Sequence, residues 1–326
     1  MSANVNYSDI LATTIESRTR KIADNVTDNN ALLKKLEMKG KIKPFSGGTK
    51  ILQELSFTEN ANGGWYSGYD ILPVGVAEVI SAAEYDIKQA AVPVVISGLE
   101  TLQNAGRERM IDLMEARLSV AESTLSNIIS AGLYSDGTGA GGKEIDGLDA
   151  AVSVTPTVGA YGNIDPANFG FWANYYNATG GDSTAIQGSM NACWAALVRG
   201  ADRPDLIMAD NTAWSSYMAS LQAQQRFTSP ETGNLGFPSI KFMDADVVLD
   251  GGIQNGSGTG APAGTMYFLN CNYIHYRPHA NRNMVPLSPN KRVATNQDAE
   301  VQILAWAGNL TTSGRMFQGR IAGITV

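Results

Sequence analysis

The chain of 326 residues has few of the side chains on which most enzymatic chemistry depends. It contains two cysteines and two histidines, and charged residues make up 17% of it, below the roughly 25% of an average soluble domain. Two cysteines exclude a disulfide-rich scaffold. No apolar run approaches the roughly 18 residues that a transmembrane helix needs, and the N-terminus lacks the pattern of a signal peptide. We therefore expect a protein that is made and used in a reducing cytoplasm.

Glycine and apolar residues are well represented. The 34 glycines are about 10% of the chain, against roughly 7% in average proteins. Hydrophobic residues make up 44%, which is enough to bury a core and excludes a disordered chain. The net charge of −7 and a pI near 4.9 exclude a plainly basic nucleic-acid binder.

The charge is unevenly distributed along the chain. Residues 1–43 carry +3 and residues 265–326 carry +4, whereas residues 44–132 carry −6 and residues 133–264 carry −8. Charged residues that lie by chance on the solvent-exposed faces of a folded chain can produce such a pattern. It is also typical of an assembling protein in which basic ends lie on acidic surfaces of neighbouring copies.

The first half of the chain contains a predicted hairpin. Alternating side chains predict one strand from Ile51 to Thr58 and a second at Val79–Ala91, with a glycine- and asparagine-rich tip at 59–69. Neither face of this hairpin is a convincing core face. Such a hairpin is expected to lie on another molecule.

Helices are predicted on both sides of the hairpin. Leucines at helical spacing indicate a short helix at Asn30–Met38. Pro93 and the capping box Ser97-x-x-Glu100 predict the start of another short helix. An apolar stripe then predicts a long helix at about Arg107–Ala131.

The second half is predicted to be a mixed α/β or α+β region that ends in strands. Helices are expected at Thr184–Val198 and Thr212–Gln225, and a buried strand at Leu206–Ala209. Two closing strands are expected at Glu300–Trp306 and Arg315–Ile324, with residues 308–312 in the connection between them.

The glycine loop at residues 134–147 is the strongest candidate for a phosphate site. Gly137, Gly139 and Gly142 satisfy G-x-G-x-x-G, and Lys143 follows as in a Walker motif. Two features oppose this function. The loop follows a helix, whereas phosphate loops follow a strand, and Glu144 occupies the position where Ser or Thr would ligate magnesium. The alternative interpretation is a flexible joint between domains.

The remaining motifs do not predict catalysis or metal binding. His275 and His279 have the spacing of a helical zinc pair, but Pro278 between them disfavours a continuous helix. Cys271 is close in sequence, yet three ligands without a fourth are a weak metal signal. No G-x-S-x-G motif occurs. We expect no catalytic residues, no metal and no cofactor.

The order of these segments resembles a known family. A polar arm, a long hairpin, a long helix closed by the phrase GTG at 137–139, an "xGL" at Asp146-Gly147-Leu148 and a mixed domain follow one another. Arg203-Pro204-Asp205-Leu206 before Trp214 is a further typical phrase. Together they resemble the major capsid protein of tailed double-stranded DNA bacteriophages, with the Hong Kong 97-type fold. The match covers nearly the whole chain.

The resemblance implies an α+β fold with five parts. They are an N-terminal arm at 1–44, an extended loop at 45–92, a peripheral domain with a spine helix at 93–147, an axial domain at 148–275, and closing strands at 276–326. Because only about 43 residues precede the extended loop, the resemblance implies a separate scaffolding protein.

The resemblance also implies which residues contact other subunits or permit bending. The expected extended-loop contacts are Trp65, Tyr66, Tyr69, Lys50 and Lys88. The expected arm contacts are Arg18, Arg20 and Lys21. The expected joint residues are Gly132, Gly137 and Gly139. Some relatives join a lysine to an asparagine covalently, but nothing in the sequence shows the apolar carboxylate pocket that this needs.

The expected function is therefore self-assembly into hexamers and pentamers of an icosahedral shell that encloses DNA without sequence-specific binding. The expected partners are other copies, a scaffolding protein, a portal and possibly a decoration protein, with no membrane. The expected location is the virion, after assembly in the host bacterial cytoplasm. Two alternatives stay open: an encapsulin-like nanocompartment shell, and a phosphate-binding α/β enzyme that uses the Gly137–Lys143 loop.

Overall fold

The structure is a computed structural model. It describes residues 30–57, 60, 62–71, 75, 79–97, 99–100, 113–222, 239–250, 260–287, 292–293 and 299–326. The helices are α1 Ala31–Met38, α2 Leu113–Gly132, α3 Gly139–Gly142, α4 Leu148–Ala151, α5 Ile186–Leu197 and α6 Asn211–Gln222. The strands are β1 Lys50–Ser56, β2 Ile80–Asp86, β3 Lys88–Ser97, β4 Tyr175–Asn177, β5 Leu206–Ala209, β6 Ser239–Phe242, β7 Ala245–Leu249, β8 Met266–Leu269, β9 Ile274–Pro278, β10 Val285–Pro286, β11 Arg292–Val293, β12 Ala299–Thr312 and β13 Gly319–Ile321. None of the helices in these ranges has the length and apolar character needed to cross a bilayer.

One half of the molecule is organised around a six-stranded mixed sheet in the order β4-β13-β8-β5-β7-β6. Strand β5 is central and all of its side chains are buried. Leu206 and Met208 enter one hydrophobic cluster, and Ile207 and Ala209 enter a second cluster on the other face, because successive strand residues point to opposite sides. Helices α5 and α6 cover the second face. We call this half the axial domain.

The other half is a five-stranded sheet built on β12, against which α2 packs. Strand β12 pairs with β3 over Ala299–Gly308 and with β9 over Gly308–Thr312. The predicted connection at 308–312 is therefore wrong. Leu310 is fully buried and pairs with Tyr276, so the strand continues into the core instead of turning. We call this half the peripheral domain.

Strands β1 and β2 form the predicted hairpin, with Lys50 opposite Asp86 and Ser56 opposite Ile80. One of its faces differs from the expectation. Ile51, Leu55 and Tyr85 are buried in the main hydrophobic cluster, so the base of the hairpin packs on its own chain. The tip beyond the strands does not share this burial.

The segment predicted as one strand at 79–91 forms two strands in different sheets. Strand β2 ends at Asp86, and β3 begins at Lys88 and pairs with β12. Pro93 lies inside β3 and does not begin a helix, which corrects the prediction. An edge strand tolerates proline because one of its sides makes no ladder hydrogen bonds.

The capping box itself is present after β3. The Glu100 amide donates to Ser97 Oγ at 3.3 Å, and the Ser97 amide donates to Glu100 Oε2 at 3.1 Å. The helix predicted at Asn30–Met38 is also confirmed as α1, where Asn30 Oδ1 accepts from the Leu33 amide at 3.1 Å. Of the long predicted helix, the structure describes α2, and residues 107–112 lie outside the described residues.

Candidate assembly surfaces

The tip of the hairpin presents aromatic side chains to solvent. Trp65 and Tyr69 are fully exposed, with 106% and 104% relative exposure, and Tyr66 is 69% exposed. The backbone around them is shaped by local polar contacts, since the Ser67 amide donates to Asp70 Oδ2 at 2.7 Å. Monomeric proteins rarely expose several large aromatic rings side by side, and such rings dominate interface energetics. The three aromatic residues predicted to contact other subunits are thus uncovered in the single chain.

Part of the outer face of the peripheral sheet is also apolar and exposed. Val95 pairs with Val301, and Val285 pairs with Ala305, so these side chains share one face of the sheet. Val95 and Val285 are half-exposed, while neighbouring Val94 is buried on the opposite face. We call Ala91, Pro93, Val95, Val285 and Leu287 the outer sheet patch. Sequence reasoning missed this patch, although apolar residues on both faces of Lys88–Ser97 were a signal.

The two predicted loop lysines make contacts within the chain. Lys50 Nζ lies 2.7 Å from Glu84 Oε2 across the hairpin, and this carboxylate raises the pKa of Lys50. Lys88 lies in β3, beyond the hairpin, where its Nζ donates to the Gly142 carbonyl at 2.7 Å and lies 3.6 Å from Asp146 Oδ1. The arm residues Arg18, Arg20 and Lys21 lie outside the described residues.

The predicted joint glycines form the turn between α2 and the axial domain. Gly137 has φ of +79°, and a Cβ there would lie 2.4 Å from Asp146 Oδ1. Asp146 is in turn held by Asn309, whose Nδ2 donates to it at 2.7 Å. The hinge role of Gly132, Gly137 and Gly139 stays a prediction.

The same turn does not have the form of a phosphate loop. A Cβ on Gly139 would lie 2.3 Å from Glu144 Oε2, so a carboxylate occupies the space beside the glycines. Ser135 Oγ donates to that carboxylate at 2.6 Å and holds it in place. A carboxylate in this position repels phosphate, and the following helix α4 has four residues.

A buried arginine joins the start of the axial domain to the end of the chain. Arg315 is 1% exposed, its Nε donates to the Ala151 carbonyl at 2.7 Å, and its guanidinium lies 5.4 Å from the centre of the Tyr161 ring. The C-terminal end of α4 therefore depends on a side chain from a distant part of the sequence. Sequence reasoning did not single out Arg315.

Both histidines pack against other parts of the chain. His275 is buried in β9, and burial together with nearby Lys43, Lys41 and Arg277 lowers its pKa to about 4. His279 packs edge-on against Phe45 with ring centres 5.0 Å apart. Within the described ranges, no group of three His, Cys, Asp or Glu side chains is placed to hold a metal ion.

A cleft of about 1140 Å³ separates the end of α2 from the axial domain. Its walls include Ile128, Tyr134, Asp210, Ala261 and Trp306. Beside the cleft, the Tyr134 hydroxyl donates to Asp250, which directly follows β7. The cleft lies beside the main hydrophobic cluster, in which Leu133 and Tyr134 pack together with Met208 of the axial sheet.

No protein-family model and no curated protein sequence matches the chain. Solved structures do match. A chain of the cyanophage A-1(L) capsid is 16% identical with a TM-score of 0.71, and the alignment covers 94% of this chain and 96% of that one. The chain has the Hong Kong 97-type capsid fold.

Other structures with this fold show how far the likeness extends. A chain of a native GTA particle capsid is 13% identical with a TM-score of 0.58, covering 90% of each chain. A chain of the holo-SrpI encapsulin complex from Synechococcus elongatus PCC 7942 is 8% identical with a TM-score of 0.59, covering 97% of this chain and 95% of that one. The Hong Kong 97-type fold thus accounts for nearly the whole length, as the sequence resemblance implied.

Proposed function

We propose that this chain is a structural protein, without enzymatic activity, that self-assembles into an icosahedral capsid enclosing a phage double-stranded DNA genome. The observation that carries the proposal is an exposed aromatic hairpin tip on a Hong Kong 97-type fold. In the single chain the rings at the tip are exposed to solvent and add little to the buried core. A neighbouring copy of the chain would cover them.

The outer sheet patch is the surface that we assign to the neighbour's tip. Both surfaces are apolar and uncovered in the single chain, and burying apolar area drives association. Donor and acceptor are different patches, so the contact is heterologous, and a heterologous contact closes into a ring when its rotation permits. Rings of six and five copies would then form the shell, with contacts that are individually weak and collectively strong.

Charge supports the same arrangement. The basic ends, including Arg18, Arg20 and Lys21, would lie against the acidic middle of adjacent copies. Ion pairs of this kind add orientation more than affinity. A scaffolding protein, a portal and a decoration protein are the proposed further partners, with assembly in the cytoplasm of the host bacterium.

An encapsulin-like shell is the second candidate, since an encapsulin complex shares the fold. The TM-score of 0.71 to the cyanophage capsid chain, against 0.59, favours the phage capsid. The contents of particles isolated from the native source discriminate the two: a capsid contains double-stranded DNA, whereas an encapsulin-like shell contains protein cargo.

Replacing the tip aromatics tests the assembly proposal. We expect the double variant Trp65→Ser and Tyr69→Ser to stay unassembled at concentrations where the unaltered chain forms rings or shells. Each interface aromatic contributes on the order of 2 kcal/mol, so losing two of them weakens each contact on the order of 1,000-fold. Sedimentation velocity and negative-stain microscopy measure the outcome, and circular dichroism checks that the fold is retained.

The matched control replaces exposed apolar residues elsewhere. Val158 and Phe169 are 67% and 49% exposed in the axial domain. The variant Val158→Ser and Phe169→Ser is expected to assemble normally. The proposal is wrong if the unaltered chain stays monomeric at high concentration with its scaffold supplied. The assignment of the tip is wrong if both double variants assemble alike.

A further inference from the structure

The hydrogen bond between Tyr134 and Asp250 lies where the end of α2 meets the axial domain, beside the main hydrophobic cluster that contains Tyr134 and Met208. Tyr134 follows the end of α2 in the peripheral domain, and its hydroxyl donates to Asp250 Oδ2. Asp250 is fixed in the axial domain, because its amide donates to the Ala209 carbonyl at 2.9 Å and its carbonyl accepts from the Ala261 amide at 2.8 Å. Any change in the angle between α2 and the axial sheet acts on this bond.

Apart from one other carboxylate, the described groups around the Tyr134–Asp250 contact are apolar or neutral. The Tyr134 hydroxyl lies 3.6 Å from Met208 Sδ, and the Tyr134 and Tyr267 rings lie 6.2 Å apart. From the start of α6, Asp210 faces the same region, but its carboxylate accepts from the Thr212 and Gly264 amides.

Charged side chains also line the neighbouring cleft, and Lys88, Asp136 and Glu144 among them are bonded to groups other than Asp250. The rim cations are Lys88, which is bonded to Gly142 and Asp146, and Lys143. The rim carboxylates are Asp136 and Glu144, which are bonded to Thr138 and Ser135. In the part of the chain that the structure describes, no cation lies within ion-pair distance of Asp250.

Burial without a nearby cation shifts the pKa values of Asp250 and Tyr134. Desolvation raises the pKa of Asp250 from 3.8 to about 6, and the bond from Tyr134 opposes the shift only in part. Burial also raises the pKa of Tyr134 well above 10, so the phenol stays a donor throughout the physiological range. Above pH 6 the closed contact therefore holds an uncompensated carboxylate.

We propose that the Tyr134–Asp250 contact is a proton-controlled latch between the spine helix and the axial domain. The latch is tight when the Asp250 carboxyl is protonated, and it loosens when the carboxyl ionises. The cleft beside Tyr134 and Ala261 gives water a route to the carboxylate once the domains begin to separate. The latch belongs to the single chain and holds whether or not the assembly proposal is correct.

The direction of the pH effect follows from the raised pKa. An acid whose pKa is raised in the closed state stabilises closure fully at pH below its exposed pKa of 3.8. That stabilisation is lost as the pH rises to about 6 and is absent above it. Applying both pKa values, the opening constant rises by about tenfold between pH 5 and pH 7.5.

Hydrogen exchange on the unassembled full-length chain tests the latch. The reporter is the amide of Leu148, which donates to the Leu133 carbonyl at 2.7 Å next to Tyr134. After correction for the intrinsic exchange rate, we expect about tenfold lower protection at pH 7.5 than at pH 5. Asp250→Asn is neutral and nearly the same size, so its protection should be high and independent of pH.

Two further variants make the result decisive. Asp244→Asn alters an exposed carboxylate in the turn before β7, and it should keep the pH dependence of the unaltered chain. Tyr134→Phe removes the donor while the buried carboxyl remains, so protection should fall further at pH 7.5 and the dependence on pH should persist. The latch is overturned if the unaltered chain shows equal corrected protection at both pH values. It is equally overturned if Asp250→Asn retains the dependence.

Discussion

Gly147→Ala is expected to destabilise the unassembled chain by about 3 kcal/mol, because a methyl group at this position has no space. A Cβ on Gly147 would lie 2.5 Å from the Gly132 carbonyl oxygen and 2.6 Å from that of Leu133. Both obstacles are backbone atoms at the end of α2, and Leu133 is fully buried. The backbone of Gly147 has φ of −82°, so the defect is the close approach and not the glycine's conformation.

Thermal or denaturant unfolding of the unassembled chain measures this effect. Gly188→Ala is the control, since Gly188 lies in α5 with no atom within 4 Å of an added Cβ. Alanine is a better helix former than glycine, so this variant should gain about 1 kcal/mol. Equal stabilities for the two alanine variants would show that the peptide groups at the end of α2 can move apart freely.

Arg315→Ala is the second change with a large expected effect, a loss of about 4 kcal/mol in the free energy of unfolding. The variant leaves the Ala150 and Ala151 carbonyls without their donor, at 3.3 and 2.7 Å from the guanidinium in the unaltered chain. Removing the side chain also leaves a cavity beside the Tyr161 ring, in a buried region of the chain. Both effects lower the free energy of the same unfolding transition.

The control for Arg315 is an arginine on the surface. Arg203 pairs with Asp244 at 2.9 Å, and its side chain is 55% exposed. Arg203→Ala should change the free energy of unfolding by less than about 0.5 kcal/mol, as is usual for exposed ion pairs. If Arg315→Ala unfolded at the same denaturant concentration as Arg203→Ala, the buried contacts would not have the assigned importance.

The sequence predicted elements whose side chains repeat at a regular interval. Helix α1 was predicted from the spacing of its leucines, and strand β5 from a short continuous apolar run that is buried on both faces. Strand β12 was cut short in prediction because Gly308 and Asn309 are typical turn residues. In the folded chain Gly308 lies where a Cβ would meet the Arg277 carbonyl at 2.6 Å, so the same glycine permits close packing of strands.

The candidate surfaces were predictable to different degrees. The tip aromatics stood out because Trp65, Tyr66 and Tyr69 occur among glycines and polar residues with no apolar periodicity. The outer sheet patch was not predictable, since its members come from β3 and β10, which are separated by nearly two hundred residues and meet only through β12. Asp250 and Tyr134 likewise carry no local signal, because burial and the missing cation arise only from tertiary structure.

Strand β12 also has a mechanical consequence. Its first part pairs with β3 from Ala299 to Gly308, and its last part pairs with β9 up to Thr312. A pull along the strand axis loads the backbone hydrogen bonds of a ladder in shear, so all of them resist together, whereas a pull across the ladder breaks them one after another. The sheet built on β12 is therefore expected to resist stretching along β12 more strongly than the peeling of β12 from its neighbours.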